Sequence, residues 1–142
     1  MNLYERIRGI AATRGDAVAL ECDDGRVLTH DAFHDRIERI AARLHGAGVV
    51  PDDRVMAQVE KSPDAVALYL ASLRLGAAFV PLNPAYTGAE LEYFLADAGP
   101  RVLVCAPERL EAARAAARLA GAEPELLTLA ATGSGTPVAG AA

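Results

Sequence analysis

The stretch Leu73-Arg-Leu-Gly-Ala-Ala-Phe-Val-Pro-Leu-Asn83, continued by Pro84-Ala-Tyr-Thr-Gly-Ala-Glu90, does most to limit how this chain can fold. Gly76 can take the left-handed backbone that ends an apolar helix. Ala77–Val80 is then a short apolar strand, and Pro81 breaks it. Thr87 and Glu90 have the spacing of a capping box, so a new helix opens there and runs to Ala98. A helix, a brief buried strand and another helix are the units of an alternating α/β chain.

The alternation extends both ways. Arg54–Val59 reads as a strand, and Ser62 caps a helix from Pro63 to Leu75 with Pro63 at its first position and Asp64 in its first turn. Ala65, Val66, Leu68, Tyr69, Leu70, Leu73 and Leu75 make that helix apolar on nearly every side, which predicts burial. Gly99-Pro100 ends the helix after Thr87, Arg101–Cys105 is a strand, and Pro107–Ala120 is an alanine- and arginine-rich helix. Glu125–Leu129 is a last strand. Short continuous apolar strands alternating with helices predict a largely parallel sheet with helices on both faces. Ligands of such sheets sit beyond the carboxyl ends of the strands, so Glu60–Ser62, Pro81–Thr87 and Ala106–Glu108 are the loops of interest.

Before this region, Leu3, Ile7 and Ile10 mark one face of a short amphipathic helix. Ala17–Cys22 and Arg26–Thr29 flank Asp23-Asp24-Gly25 as a β-hairpin. Thr29 caps a helix across Asp31–Ala47, with Phe33, Ile37, Ile40, Ala41 and Leu44 as its apolar stripe and Gly46 and Gly48 at its end. Residues 1–129 therefore read as one α/β unit. Residues 130–142 hold only Ala, Thr, Gly, Ser, Pro and Val and read as a flexible low-complexity tail.

With 142 residues, 52% of them hydrophobic, the chain can bury a core and is not a disordered polymer. A net charge of -5 gives nucleic acid or an anionic membrane no electrostatic attraction. No apolar run reaches the roughly 18 residues of a membrane span, and the amino terminus has no signal-peptide core, so a cytoplasmic location is expected. Cys22 and Cys105 lie in apolar strand-like runs without metal-ligand spacing, as small buried thiols do.

Candidate chemistry is sparse. Lys61, the one lysine, stands between a strand and a helix N-terminus, where an anion could be held, yet no glycine-rich cradle accompanies it. Asn83 and Tyr86 also sit at a strand's carboxyl end; a turn former and a packing aromatic explain them as well as ligand contact does. Lys61, Asn83 and Tyr86 are the only weak candidates for cofactor binding. His30 and His34 are four apart on one helix but lack a third metal ligand, and His45 complements a helix C-terminus. Asp23-Asp24 and Asp52-Asp53 are turn formers, and Glu108, Arg109, Glu111, Arg114 and Arg118 form a solvated helical face. Thr132-Gly-Ser-Gly-Thr-Pro137 suggests a phosphate loop only superficially, since no lysine is present and no helix-forming sequence follows. No catalytic or metal-binding residue is assigned.

These residues carry a family resemblance. Leu28-Thr-His-Asp-Ala-Phe33 stands in the place of the first core motif of the acyl-adenylate-forming superfamily, usually Leu-Thr-Tyr-x-Glu-Leu. It departs from that wording at His30, Ala32 and Phe33. Leu73–Asn83 is similar to the second core motif. Glu60-Lys-Ser-Pro, Leu68-Tyr-Leu-Ala, Pro81-Leu-Asn-Pro-Ala-Tyr-Thr and Glu90-Leu-Glu-Tyr-Phe94 resemble the malonyl-CoA synthetases of that superfamily. The resemblance runs from about Leu3 to Leu129.

The resemblance implies the N-terminal portion of an ATP-dependent acid–CoA ligase. Such enzymes join a carboxylate to AMP and then pass the acyl group to coenzyme A, using ATP, Mg and CoA. Their phosphate loop, metal-binding glutamate, ribose-binding aspartate and catalytic lysine lie downstream of the motifs present here. No cofactor is therefore expected to bind this chain alone. The partners implied are the downstream ligase domains or a separately encoded remainder, making one half of a split ligase; a non-catalytic interaction module is the alternative.

Overall fold

A computed structural model describes residues 2–130 and 139–140. Helix α1 spans Leu3–Thr13, and strands β1 (Val18–Glu21) and β2 (Val27–Thr29) form an antiparallel hairpin. The long helix α2 covers His30–Gly46. Strand β3 (Arg54–Gln58), helix α3 (Pro63–Arg74), strand β4 (Ala78–Pro81), helix α4 (Gly88–Ala98) and strand β5 (Val102–Cys105) then alternate. After one 3-10 turn at Pro107–Arg109 come helix α5 (Leu110–Ala120), strand β6 (Glu125–Thr128) and the two-residue strand β7 (Ala139–Gly140).

The main sheet runs β4-β3-β5-β6-β7, parallel except for the antiparallel β6–β7 pair. Strand alternation sends successive side chains to opposite faces. Val55, Ala57, Val102, Val104, Leu127 and Leu129 meet α2 and α3 on one side. On the other, Met56, Leu103 and Cys105 meet Leu91 and Leu95 of α4 and Ala113, Ala116 and Ala117 of α5. The sheet with two covered faces is the one the alternating apolar strands predict.

Local chemistry fixes the boundaries. The side chains of Thr29, Ser62 and Thr87 accept hydrogen bonds from the backbone N–H groups of Ala32, Ala65 and Glu90, capping α2, α3 and α4. Gly76 and Gly99 take left-handed φ values of 74° and 53° directly after α3 and α4.

Four expectations are corrected. Tyr4 and Ala11, with Ile7 half-buried, form the packed side of α1, whereas Leu3 and Ile10 face solvent. The aromatic ring was the better anchor, because its hydroxyl finds partners on α2 and α3. Cys22 is only half-buried, since β1 ends at Glu21 and leaves it in the turn; Cys105 is fully buried. Pro107–Arg109 is a 3-10 turn and not the start of α5. Within the stretch read as a tail, Ala139–Gly140 pairs with Leu127 and Thr128 of β6. The Thr132–Pro137 segment lies outside the described residues.

Candidate functional site

The strand order makes a doubly wound sheet: the chain leaves β3 for β4 on one side, then returns past β3 to β5. Beyond the carboxyl ends of β3 and β5 lies the point where ligands settle in such sheets. Lys61 and the 3-10 turn at Pro107–Arg109 follow those two ends.

Lys61 makes no ion pair among the described residues. It lines two neighbouring depressions, together with Ser62 and Val66. The larger, about 360 Å³, opens between α3 and β4, and its walls include Val59, Tyr69, Phe79 and Leu82. Charge at its mouth is a single ammonium beside Glu60, and its walls are almost wholly apolar.

Asn83 and Tyr86 belong elsewhere. Asn83 Oδ1 accepts the backbone N–H of Ala85 at 2.9 Å, a side-chain turn of the kind asparagine favours. Tyr86 stacks on Phe94 of α4 with ring centroids 5.3 Å apart and planes 17° apart. Gln58, at the last position of β3 and almost completely buried, donates from Nε2 to the carbonyl oxygens of both Asn83 (3.3 Å) and Tyr86 (3.1 Å). The structure thus joins Asn83 to Tyr86 through Gln58 on the α4 side of the sheet. Lys61 lines the furrow on the α3 side, whose walls include neither Asn83 nor Tyr86.

Two features escaped the motif reading. Gln58 is an amide inside an otherwise apolar strand, and a buried amide must find hydrogen-bond partners, which is the signal that could have exposed it. The second is a cluster where α1, α2 and α3 meet. Tyr4 donates its hydroxyl to Glu38 Oε1, Arg74 Nε donates to the same oxygen at 2.8 Å, and His34 Nε2 lies 3.9 Å from it. The Arg74 guanidinium sits 5.9 Å above the Tyr4 ring. Burial alone would raise the Glu38 carboxyl, but Tyr4, Arg74 and His34 together hold it below the usual carboxylate range. Desolvation first, and the Glu38 hydrogen bond second, push the Tyr4 hydroxyl above its ordinary value.

His34 packs against this cluster and stacks with Tyr4, ring centroids 6.3 Å apart. Among the described residues no three His, Cys, Asp or Glu side chains stand together as a metal site. No helix among them is long and apolar enough to cross a membrane. At the far end of β5, burial pushes the Cys105 thiol up to about 11, with the Glu108 carboxylate adding to the shift.

A largely parallel, doubly wound sheet covered by helices on both faces places the chain in the α/β class. Residues 7–138 match the family described as AMP-binding enzyme. The chain belongs to the AMP-binding enzyme family. It is 36% identical over 103 residues to the oxalate–CoA ligase of Arabidopsis thaliana, covering 72% of this chain and 20% of that protein. It is 40% identical over 89 residues to phosphinothricin tripeptide synthetase PhsB of Streptomyces viridochromogenes, covering 63% of this chain and 8% of that one. Among solved structures, ATP-bound MatB from Rhodopseudomonas palustris superposes with a TM-score of 0.84 at 37% identity, covering 95% of this chain and 26% of MatB. The chain thus spans about a quarter or less of the length of these relatives.

Proposed function

We propose that this chain forms the N-terminal scaffold of an ATP-dependent acid–CoA ligase acting on a small dicarboxylic acid, malonate by preference. The observation that carries this reading is the likeness to MatB, in which 95% of this chain follows about a quarter of that protein. The malonate preference rests on the wording of Pro81–Thr87 and Glu90–Phe94. It is supported by a relative whose named substrate, oxalate, is also a dicarboxylate.

Alone, the chain catalyses no adenylation. Adenylyl transfer needs positioned donors and cations against the charge that develops on phosphate. Lys61 is the only lysine, and it stands at the mouth of an apolar furrow instead of a glycine cradle. Mg–ATP does not fit that site, and no step through nucleotide is assigned to this chain. Its own residues do structural work for the site: Gln58 clamps the Asn83–Tyr86 loop at the carboxyl end of the sheet, where the family's chemistry would be assembled. The phosphate loop, metal glutamate, ribose aspartate and catalytic lysine would come from polypeptide outside the matched quarter. The setting proposed is the cytoplasm.

The test is pyrophosphate release with malonate, ATP, magnesium and coenzyme A. The purified chain should show none above background, and a fusion of this chain to the remaining three quarters of MatB should turn over. Turnover by the chain alone, or a fusion that folds without turnover, overturns the reading. A second reading, the adenylation portion of a peptide synthetase, is favoured by the 40% identity to PhsB. Amino-acid-dependent and malonate-independent release by the fusion would select it.

A further inference from the structure

Helix α4 turns Leu91 and Leu95 into the core beneath the sheet and carries aromatic rings on its outer side. Tyr93 is 65% exposed and belongs to neither half of the core. Phe94 is half-buried beside it, and Tyr86 from the preceding loop packs on Phe94. Leu91 and Leu95 suffice to hold α4 against the sheet. They give no reason for a large ring kept in water next to two others.

The three rings meet at defined angles. Tyr86 and Phe94 are nearly parallel, whereas Tyr93 stands at 78° to Phe94 with centroids 5.4 Å apart. With Ala89 and Glu90 they wall an open depression of about 400 Å³. Aromatic faces are electron-rich, so crossed rings attract a cation brought over them. Glu90 adds a carboxylate to the same depression, and Glu92 and Asp97 stand on the same helix. No Lys, Arg or His occurs between Arg74 and Arg101 to supply the complementary charge locally. Arg74, which does sit over a ring, covers Tyr4 at the meeting of α1, α2 and α3, across the sheet from α4.

We propose that this aromatic corner binds a small molecule carrying a quaternary ammonium group. The lining selects among cations. A primary ammonium or a guanidinium brings several N–H donors that need acceptors. Glu90 Oε2 already accepts the Thr87 backbone N–H at 2.6 Å, which leaves one carboxylate oxygen uncommitted. A quaternary ammonium donates no hydrogen bond and presents its methyl groups to ring faces, so crossed rings and one carboxylate are enough. Tyr93 and Phe94 supply the walls, and Glu90 supplies the counter-charge. The site draws on no step of ligase chemistry and stands whether or not the ligase reading does.

The probe is choline, compared with the uncharged alcohol in which carbon replaces the choline nitrogen. Each is titrated into the full chain carrying ring-labelled tyrosine and phenylalanine, and ring resonances are followed by NMR. Choline should shift the Tyr93 and Phe94 rings saturably in the millimolar range, and the carbon analogue should bind about tenfold more weakly. Tyr93→Leu, which keeps an apolar side chain but removes the ring, should weaken choline about tenfold, read from Phe94. Glu90→Gln keeps a capping side chain and removes the charge, and should weaken it about threefold. Circular dichroism melting checks that both variants fold; should Tyr93→Leu fail to, Glu90→Gln and the carbon analogue still decide. Equal binding of the carbon analogue, or undiminished binding by either folded variant, overturns the site. So do the absence of a saturable shift and the same shifts produced by sodium chloride at equal ionic strength.

Discussion

Arg36 of α2 reaches across to α3, and its Nη1 is ion-paired with Asp64, a carboxylate left only 1% exposed. Asp64 also sits in the first turn of α3, where the helix dipole favours negative charge. One side chain therefore serves the helix start and the α2–α3 contact together. Removing the arginine leaves a buried carboxylate without its counter-ion, which typically costs more than the intact pair contributes. Arg36→Met should lower stability by about 3 kcal/mol. The double variant Arg36→Met, Asp64→Leu should recover most of that loss. Urea denaturation of the two singles and the double checks both statements.

The Tyr4–Glu38–Arg74 cluster gives stability two pH limits. Glu38 is depressed in the folded state, so its contribution is full above the unfolded carboxylate range and is lost as pH falls through the lower folded value. Tyr4 is raised, so its contribution is full below the ordinary tyrosine range near 10 and is lost as pH climbs through the folded value. Melting temperatures from pH 3 to 11 should therefore fall at both ends, and Glu38→Gln should flatten the acid limb. An unchanged acid limb in that variant would show that the cluster does not couple to folding.

The two thiols should differ sharply in reactivity. Cys105 is fully buried, with its thiol pushed up to about 11 by desolvation, so almost none is thiolate at neutral pH. Cys22 is half-buried in the hairpin turn. Iodoacetamide at pH 8 should label Cys22 alone in the native protein and both residues in urea, as peptide mass spectrometry would reveal.

Gly76 is required where it stands. Its φ is 74°, and an added β-carbon would meet the Pro51 side chain at 3.3 Å. Gly76→Ala should cost about 1–2 kcal/mol from the left-handed backbone, with any crowding against Pro51 added. By contrast, Gly9→Ala, in the middle of α1 with open space around it, should be neutral or stabilising. Chemical denaturation of the two variants makes the comparison.

Much of this fold was legible because its signals are local. Thr29, Ser62 and Thr87 each cap the helix their spacing predicts, and Gly76 and Gly99 end helices where expected. Features that join distant residues were not legible. Of the stripe Leu3, Ile7 and Ile10 only Ile7 packs inward, because aliphatic periodicity ignores the hydroxyl that ties Tyr4 to Glu38. The order β4-β3-β5 cannot be read from strand sequence alone, and with it went the separation of Lys61 from Asn83 and Tyr86. The Asp64–Arg36 pair spans 28 positions, beyond the reach of any periodic pattern.

Gln58 holds the Asn83–Tyr86 segment by main-chain oxygens only. Those oxygens are present whatever residues occupy the segment, so these two hydrogen bonds do not depend on its side chains. Positions 84 and 85 can therefore change without loosening these two hydrogen bonds, provided an amide remains at position 58.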